Sequence, residues 1–109
     1  MPYDEGLAGR VRAQLIPIPG FSEKKMFGGI GFMINGNMAV GVNGQNLIVR
    51  LSPERYEQAM QQPGVRVFDL TGRPMKGWIT VLPEGVAAEQ DLSAWVQQGA
   101  AFAQSLPPK

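Results

Sequence analysis

Apolar and polar residues change period several times along this 109-residue chain. Between residues 4 and 15, Leu7, Val11 and Leu15 recur at every fourth position, Asp4 stands before them, and Pro17 and Pro19-Gly20 follow. That spacing marks one face of a helix with a cap at its start and breakers at its end. From Lys25 to Leu51 the period falls to two, and Asn35-Gly36 and Asn43-Gly44 interrupt it. Such dipeptides reach the positive φ angles of tight hairpin turns at least cost, so a three-stranded meander is predicted here. Ser52-Pro53-Glu54 then supplies an N-cap, a proline for the first helical position and an acid for the first turn. A short helix to about Gln62 follows, stopped by Pro63-Gly64. "VRVFDL" (65–70) and "MKGWITVL" (75–82) alternate around "TGRP" (71–74), which predicts a second hairpin. Leu92, Trp95, Val96, Gly99, Phe102, Ala103 and Leu106 return to helical spacing, and Pro107-Pro108 closes the run.

The predicted order is helix-β-β-β-helix-β-β-helix. Strands joined by short turns are antiparallel, so the expected fold class is α+β, a two-layer sandwich with a mostly antiparallel sheet, as one domain over residues 1–109. A two-residue loop at Asn35-Gly36 pairs Ile34 with Asn37, Met33 with Met38, Phe32 with Ala39 and Gly31 with Val40. A two-residue loop at Asn43-Gly44 pairs Val42 with Gln45, Val40 with Leu47 and Met38 with Val49; the alternative is that Gln45 joins the loop. In this register Phe27, Met33, Met38, Val40, Val42, Leu47, Val49 and Leu51 share a face that packs on helices. Ile30, Phe32, Ile34, Asn37, Ala39, Ile48 and Arg50 share the other. Monomers seldom expose contiguous apolar patches, so Ile30, Phe32, Ile34 and Ile48 are either covered by a terminal helix or form the face of a homodimer.

Composition narrows the chemistry. At 44% hydrophobic residues the chain suits one core. No apolar run approaches the length of a membrane span, and the start "MPYDEGLAGR" is polar where a secretory signal is basic and then apolar, which predicts a cytoplasmic protein. The absence of cysteine and histidine removes thiolate nucleophiles, histidine-based triads and most transition-metal sites, so no metal or cofactor is expected. Ten Lys+Arg against nine Asp+Glu give a net charge of +1, which does not by itself favour nucleic acid. Asp4, Glu5, Glu84, Glu89 and Asp91 stand near predicted helix starts, where carboxylates cap free N–H groups and oppose the dipole.

Two stretches remain as candidate sites. "KKMFGGIGFMINGNM" (24–38) matches neither a dinucleotide fingerprint nor a phosphate loop, and more strand follows its glycines where a phosphate site needs a helix. Its glycines are expected to serve packing, with Gly29 and Gly31 towards the helices. "TGRPMKGW" (71–78) places Arg73 and Lys76 beside Met75 and Trp78, a set able to bind phosphate and stack on a base, or simply a hairpin with solvated cations. Lys24 and Lys25, with Arg50 and Arg66, add to that candidate nucleic-acid patch if the fold gathers them.

The segments "YDEGLAGRVR", "KKMFGGIGFMINGNM", "GRPMKGW" and "LSAWVQQGAAFAQSLPPK" together resemble the TfoX/Sxy N-terminal domain family over nearly the whole chain. The motif residues are Met26, Phe27, Gly28 and Gly29, then Gly72, Arg73, Pro74 and Met75. The resemblance implies a two-layer α+β fold of the kind shared with type III secretion chaperones. It also implies a link to natural competence, because longer members act with the cyclic-AMP receptor protein and carry a second, helical domain; this chain resembles the stand-alone members. The family offers no catalytic residues to carry over.

The resulting expectation is a non-enzymatic regulatory or interaction domain that contacts a protein, with transcription machinery as the setting. The alternative is direct nucleic-acid binding through Lys24, Lys25, Arg73 and Lys76, with Trp78. An enzyme built on a carboxylate such as Glu23 or Asp69 has no base paired with a nucleophile at recognisable spacing.

Overall fold

Asp4 caps the first helix as its position predicts, its Oδ1 accepting the Leu7 N–H at 3.1 Å. Helix α1 (Glu5–Leu15) buries Leu7, Ala8, Val11 and Leu15, the predicted stripe plus one alanine. The computed structural model describes residues 3–26, 28–69 and 74–109, with residues 74 and 75 described by backbone alone. Helix α2 (Pro53–Ala59) starts at the Ser52 cap and turns Tyr56, Ala59 and Met60 to the core. Helix α3 (Glu89–Ser105) follows a 3-10 turn at Pro83–Gly85 and buries Leu92, Trp95, Val96, Gly99, Ala100 and Ala103. Its N-cap, Ala88, has no side-chain acceptor. Arg10 of α1 takes over part of the work of fixing this end. Its Nη2 donates to the carbonyls of Val86 (2.9 Å) and Ala87 (3.3 Å), and its Nε donates to Glu89 at 3.1 Å.

The helices pack on a six-stranded sheet made of β1 (Phe21–Met26), β2 (Gly29–Ile34), β3 (Asn37–Asn43), β4 (Asn46–Arg50), β5 (Val65–Asp69) and β6 (Pro74–Val81), ordered β1-β2-β3-β4-β6-β5. Every neighbouring pair is antiparallel, and the class is the predicted α+β. The sequence pattern missed β1. Its central residues Ser22, Glu23, Lys24 and Lys25 are all exposed, so the strand carries no alternation of apolar and polar positions to read. A charged, lysine-bearing edge is a common means of keeping a sheet from adding further strands.

The register corrects the assignment of faces. Asn35 (φ +53°) and Gly36 (φ +82°) form the predicted turn, and Ile34↔Asn37 and Met33↔Met38 pair as expected. Beyond them β3 inserts one extra residue, Ala39, so that Phe32 pairs with Val40, Gly31 with Gly41 and Ile30 with Val42. A one-residue slip exchanges the faces of a strand. Ile30, Phe32 and Ile34 therefore lie under the helices, exposed by 4%, 0% and 0%, and are not a homodimer face. The second hairpin is shifted by two: Asn43 pairs with Asn46 and Val40 with Val49, around a Gly44-Gln45 loop. An even shift leaves the faces as predicted. Val40, Val42, Leu47, Val49, Ile79 and Val81 join residues of all three helices in one core. Ile34, Ala39 and Ala103 form a smaller cluster beside it.

The glycines are spent differently from expectation. Gly31 and Gly41 pair on the face away from the helices, and the space they leave is filled by thioethers. A Cβ on Gly31 would meet Met26 Cε at 3.1 Å, and one on Gly41 would meet Met38 Cε at 2.7 Å. Gly29 is fixed by a backbone approach, since a Cβ there would collide with the Val42 carbonyl oxygen. The glycine that admits a helix is Gly99 of α3, which rests on Ala39 and Val40.

Candidate interaction groove

Arg50 ends β4, and Ser52 caps α2 two residues later, so the chain turns sharply from sheet to helix. Arg50 pairs with Trp78 of β6, and the Leu51 N–H donates to the Gly77 carbonyl at 2.7 Å, which ties this corner to the start of β6. The last turns of α3 bring Phe102 to the same place. Between these elements lies a groove of about 630 Å³, within the range typical of ligand sites. The Arg50 guanidinium carbon sits 5.3 Å from the Trp78 ring centroid and 5.4 Å from that of Phe102. Both distances are in the cation–π range, so the cation is held between two rings. Phe68 lies behind Trp78 at 6.0 Å between centroids, giving the indole a second neighbour.

Charge is divided across the groove. Arg50 and Lys76 come from the sheet, while Glu54 and Glu57, three apart and so on one face of α2, come from the helix. The ion pairs among the described residues are Arg10–Glu89 and Arg12–Glu23, and neither involves these four. No carboxylate of the described residues therefore lies within 4.0 Å of a nitrogen of the two cations on the sheet wall.

The structure brings together some of the residues singled out by sequence and separates others. Lys76 and Trp78 line the groove, joined by Arg50. Lys24 and Lys25 are exposed on β1, at the opposite edge of the sheet. Three strands intervene, so about 19 Å or more separates them from β6, beyond a Debye length at physiological salt. The candidate nucleic-acid patch is thus not one patch. Met26, Gly28 and Gly29 form the β1–β2 hairpin, with Gly28 at φ +76°. Ile48 faces away from the helices but is only 4% exposed, in a cleft it shares with Met26, Met38 and Phe68. Phe27, Gly72 and Arg73 lie outside the described residues, and Pro74 and Met75 are placed only as the first backbone positions of β6.

Sequence reasoning missed Phe102 and the acids of α2 as parts of a site. Phe102 was legible only as one more apolar position of α3, although it stands at the flank of the stripe. Glu54 looked like an ordinary first-turn acid. The signal available was Arg50 at a strand end immediately before a helix start, a corner where a side chain can reach several elements. Glu23, considered as a catalytic carboxylate, is engaged by Arg12 through two hydrogen bonds of 2.7 and 3.0 Å. The Glu23 hydrogen bond raises the Arg12 pKa, against the opposing effect of desolvation. Asp69 ends β5 and is exposed.

The family of this fold is settled by a match over most of the chain: residues 13–103 fit the TfoX N-terminal domain. The chain belongs to that family. No curated protein matches the chain, and no solved structure does. The groove residues of this TfoX N-terminal domain, from Arg50 to Phe102, all lie inside the matched span, as does the glycine-rich hairpin. Among the described residues no helix is long and apolar enough to cross a membrane.

Proposed function

We propose that this TfoX N-terminal domain is a non-enzymatic regulatory module of the bacterial cytoplasm that works by contacting another protein, in the setting of transcription. The observation that carries the proposal is the Arg50–Trp78–Phe102 groove: aromatic and Arg side chains are the residue types that anchor protein interfaces. The family supports a regulatory setting. Glu23, one of the two carboxylates considered for an enzymatic role, is paired with Arg12.

Two experiments test it. A photo-cross-linking amino acid at position 78 should capture a polypeptide in cells of the source organism, while the same group at the exposed position 16 should not. Labelled duplex DNA titrated with the protein should show no saturable change in anisotropy, even at low salt. Direct nucleic-acid binding is the second reading, favoured by one observation: Trp78 lines the groove together with Arg50 and Lys76, cations beside a stacking surface. Saturable binding that weakens steeply with salt establishes that reading and refutes the first.

A further inference from the structure

The four groove charges discriminate between classes of partner. A nucleic acid presents a phosphate at every step, so a strand laid along the Arg50–Lys76 wall would bring neighbouring phosphates towards Glu54 and Glu57. A peptide can place one carboxylate against the cations and leave the adjoining position apolar. The surfaces around Arg50 ask for that alternation: Trp78 and Phe102 flank the guanidinium, and the ring of Tyr56 and the stem of Leu51 line the same groove. Arg50 is half-buried, and among the described residues no carboxylate oxygen lies within 4.0 Å of a nitrogen of Arg50 or Lys76. A guanidinium oriented between two rings keeps its N–H edge free to bind a carboxylate in two-point fashion, with less side-chain entropy left to lose than a free arginine has.

We infer that the groove binds a linear segment of a partner protein in which an aspartate or glutamate stands within two positions of a large apolar or aromatic residue. The carboxylate takes Arg50 and Lys76, and the apolar side chain enters between Trp78, Phe102 and Tyr56. Glu54 and Glu57 select against segments with further acids on the other side. This inference rests on the protein-contact reading and specifies the partner's chemistry.

The test is selection of a random dodecapeptide display library on the immobilised 109-residue chain. The recovered peptides are then labelled with fluorescein and titrated by anisotropy against the wild-type chain, Arg50→Ala, Lys76→Glu and Ile16→Ala. Recovered sequences should pair an acid with an apolar residue. Arg50→Ala and Lys76→Glu should each weaken binding by about tenfold or more, the range for a lost hydrogen bond to a charged group, while Ile16→Ala, outside the groove, binds as wild type. Lys76 is exposed, so Lys76→Glu decides the question even where Arg50→Ala fails to fold. Recovery of acid-free or basic sequences, equal binding to wild type and Lys76→Glu, or no enrichment overturns the inference. A polypeptide cross-linked from position 78 alongside any of those results leaves the protein-contact reading standing. Salt-sensitive DNA binding with no such cross-link removes both.

Discussion

Replacing Gly99 with alanine should destabilise this domain, although alanine is the better helix former. In an exposed helix interior the exchange gains about 1 kcal/mol. At Gly99 the new Cβ would stand 2.5 Å from the Ala39 carbonyl oxygen and 2.7 Å from Val40 Cγ1. Ordinary contact begins near 3.5 Å, so α3 must retreat by roughly 1 Å or the β3 bulge must flatten. Neither neighbour is a flexible chain end. One is backbone in a bulge and the other is a fully buried valine on the sheet floor. Overpacking of this kind typically costs about 1–3 kcal/mol, and a gap of that size forfeits a quarter to a half of each dispersion contact along the interface. Set against the helix gain, the net loss is up to about 2 kcal/mol, or up to roughly 9 °C in Tm for a domain of this size. Gly9 supplies the control, since it lies within α1 and a Cβ there meets nothing within 4 Å. Gly9→Ala should stabilise by about 0.4–1 kcal/mol. Thermal and urea unfolding followed by circular dichroism, on both variants in one buffer, gives the comparison. If Gly99→Ala melts at or above the wild type, the packing argument for α3 is wrong.

Other substitutions probe the register, the hairpin glycines and the chain end. Phe32→Asp should leave no cooperative unfolding transition, because it buries a carboxylate at a position with 0% exposure beside the Phe21 ring; a folded variant defective only in self-association would restore the homodimer face. Gly29→Ala should cost about 1–3 kcal/mol through its collision with the Val42 carbonyl, read as a fall in the urea midpoint, and an unchanged midpoint would contradict the close strand approach. Asn37 is the buried polar residue among those described, and its Nδ2 donates to the Pro107 carbonyl at 2.9 Å. Asn37→Ala should cost about 0.5–1.5 kcal/mol and speed hydrogen exchange at the Lys109 amide, which bonds the Asn35 carbonyl; unchanged exchange would mean that the tail is held without it. Arg10→Ala should lower Tm chiefly by releasing the Val86 and Ala87 carbonyls, so Arg10→Lys should recover less than half of the loss; full recovery would assign the effect to the exposed Glu89 pair instead.

Sequence alone determined the elements whose signals are local. Asp4 and Ser52 announce helix starts because a side-chain oxygen satisfies a backbone N–H within the same turn, and Asn35-Gly36 announces its hairpin because few residues reach that turn's φ angles. The stripe of α3 was equally legible, since a buried helix face repeats at its own period. Edge strand β1 was not, because a strand exposed on both sides has no period to show. The bulge at Ala39 was invisible for another reason. Nothing in "NMAVGV" (37–42) distinguishes one extra residue from none, yet that residue decides whether Phe32 faces the helices or solvent. The choice is made by the packing of Ala103 and Gly99 above it, more than fifty residues away in the chain. The groove follows the same rule. Lys76 and Trp78 could be picked out within one strand, but Arg50, Glu54 and Phe102 join them only because β4, α2 and α3 meet at one corner. Local hydrogen bonding is written in neighbouring residues; which distant surfaces meet depends on the whole sheet's register, and only the folded chain sets it.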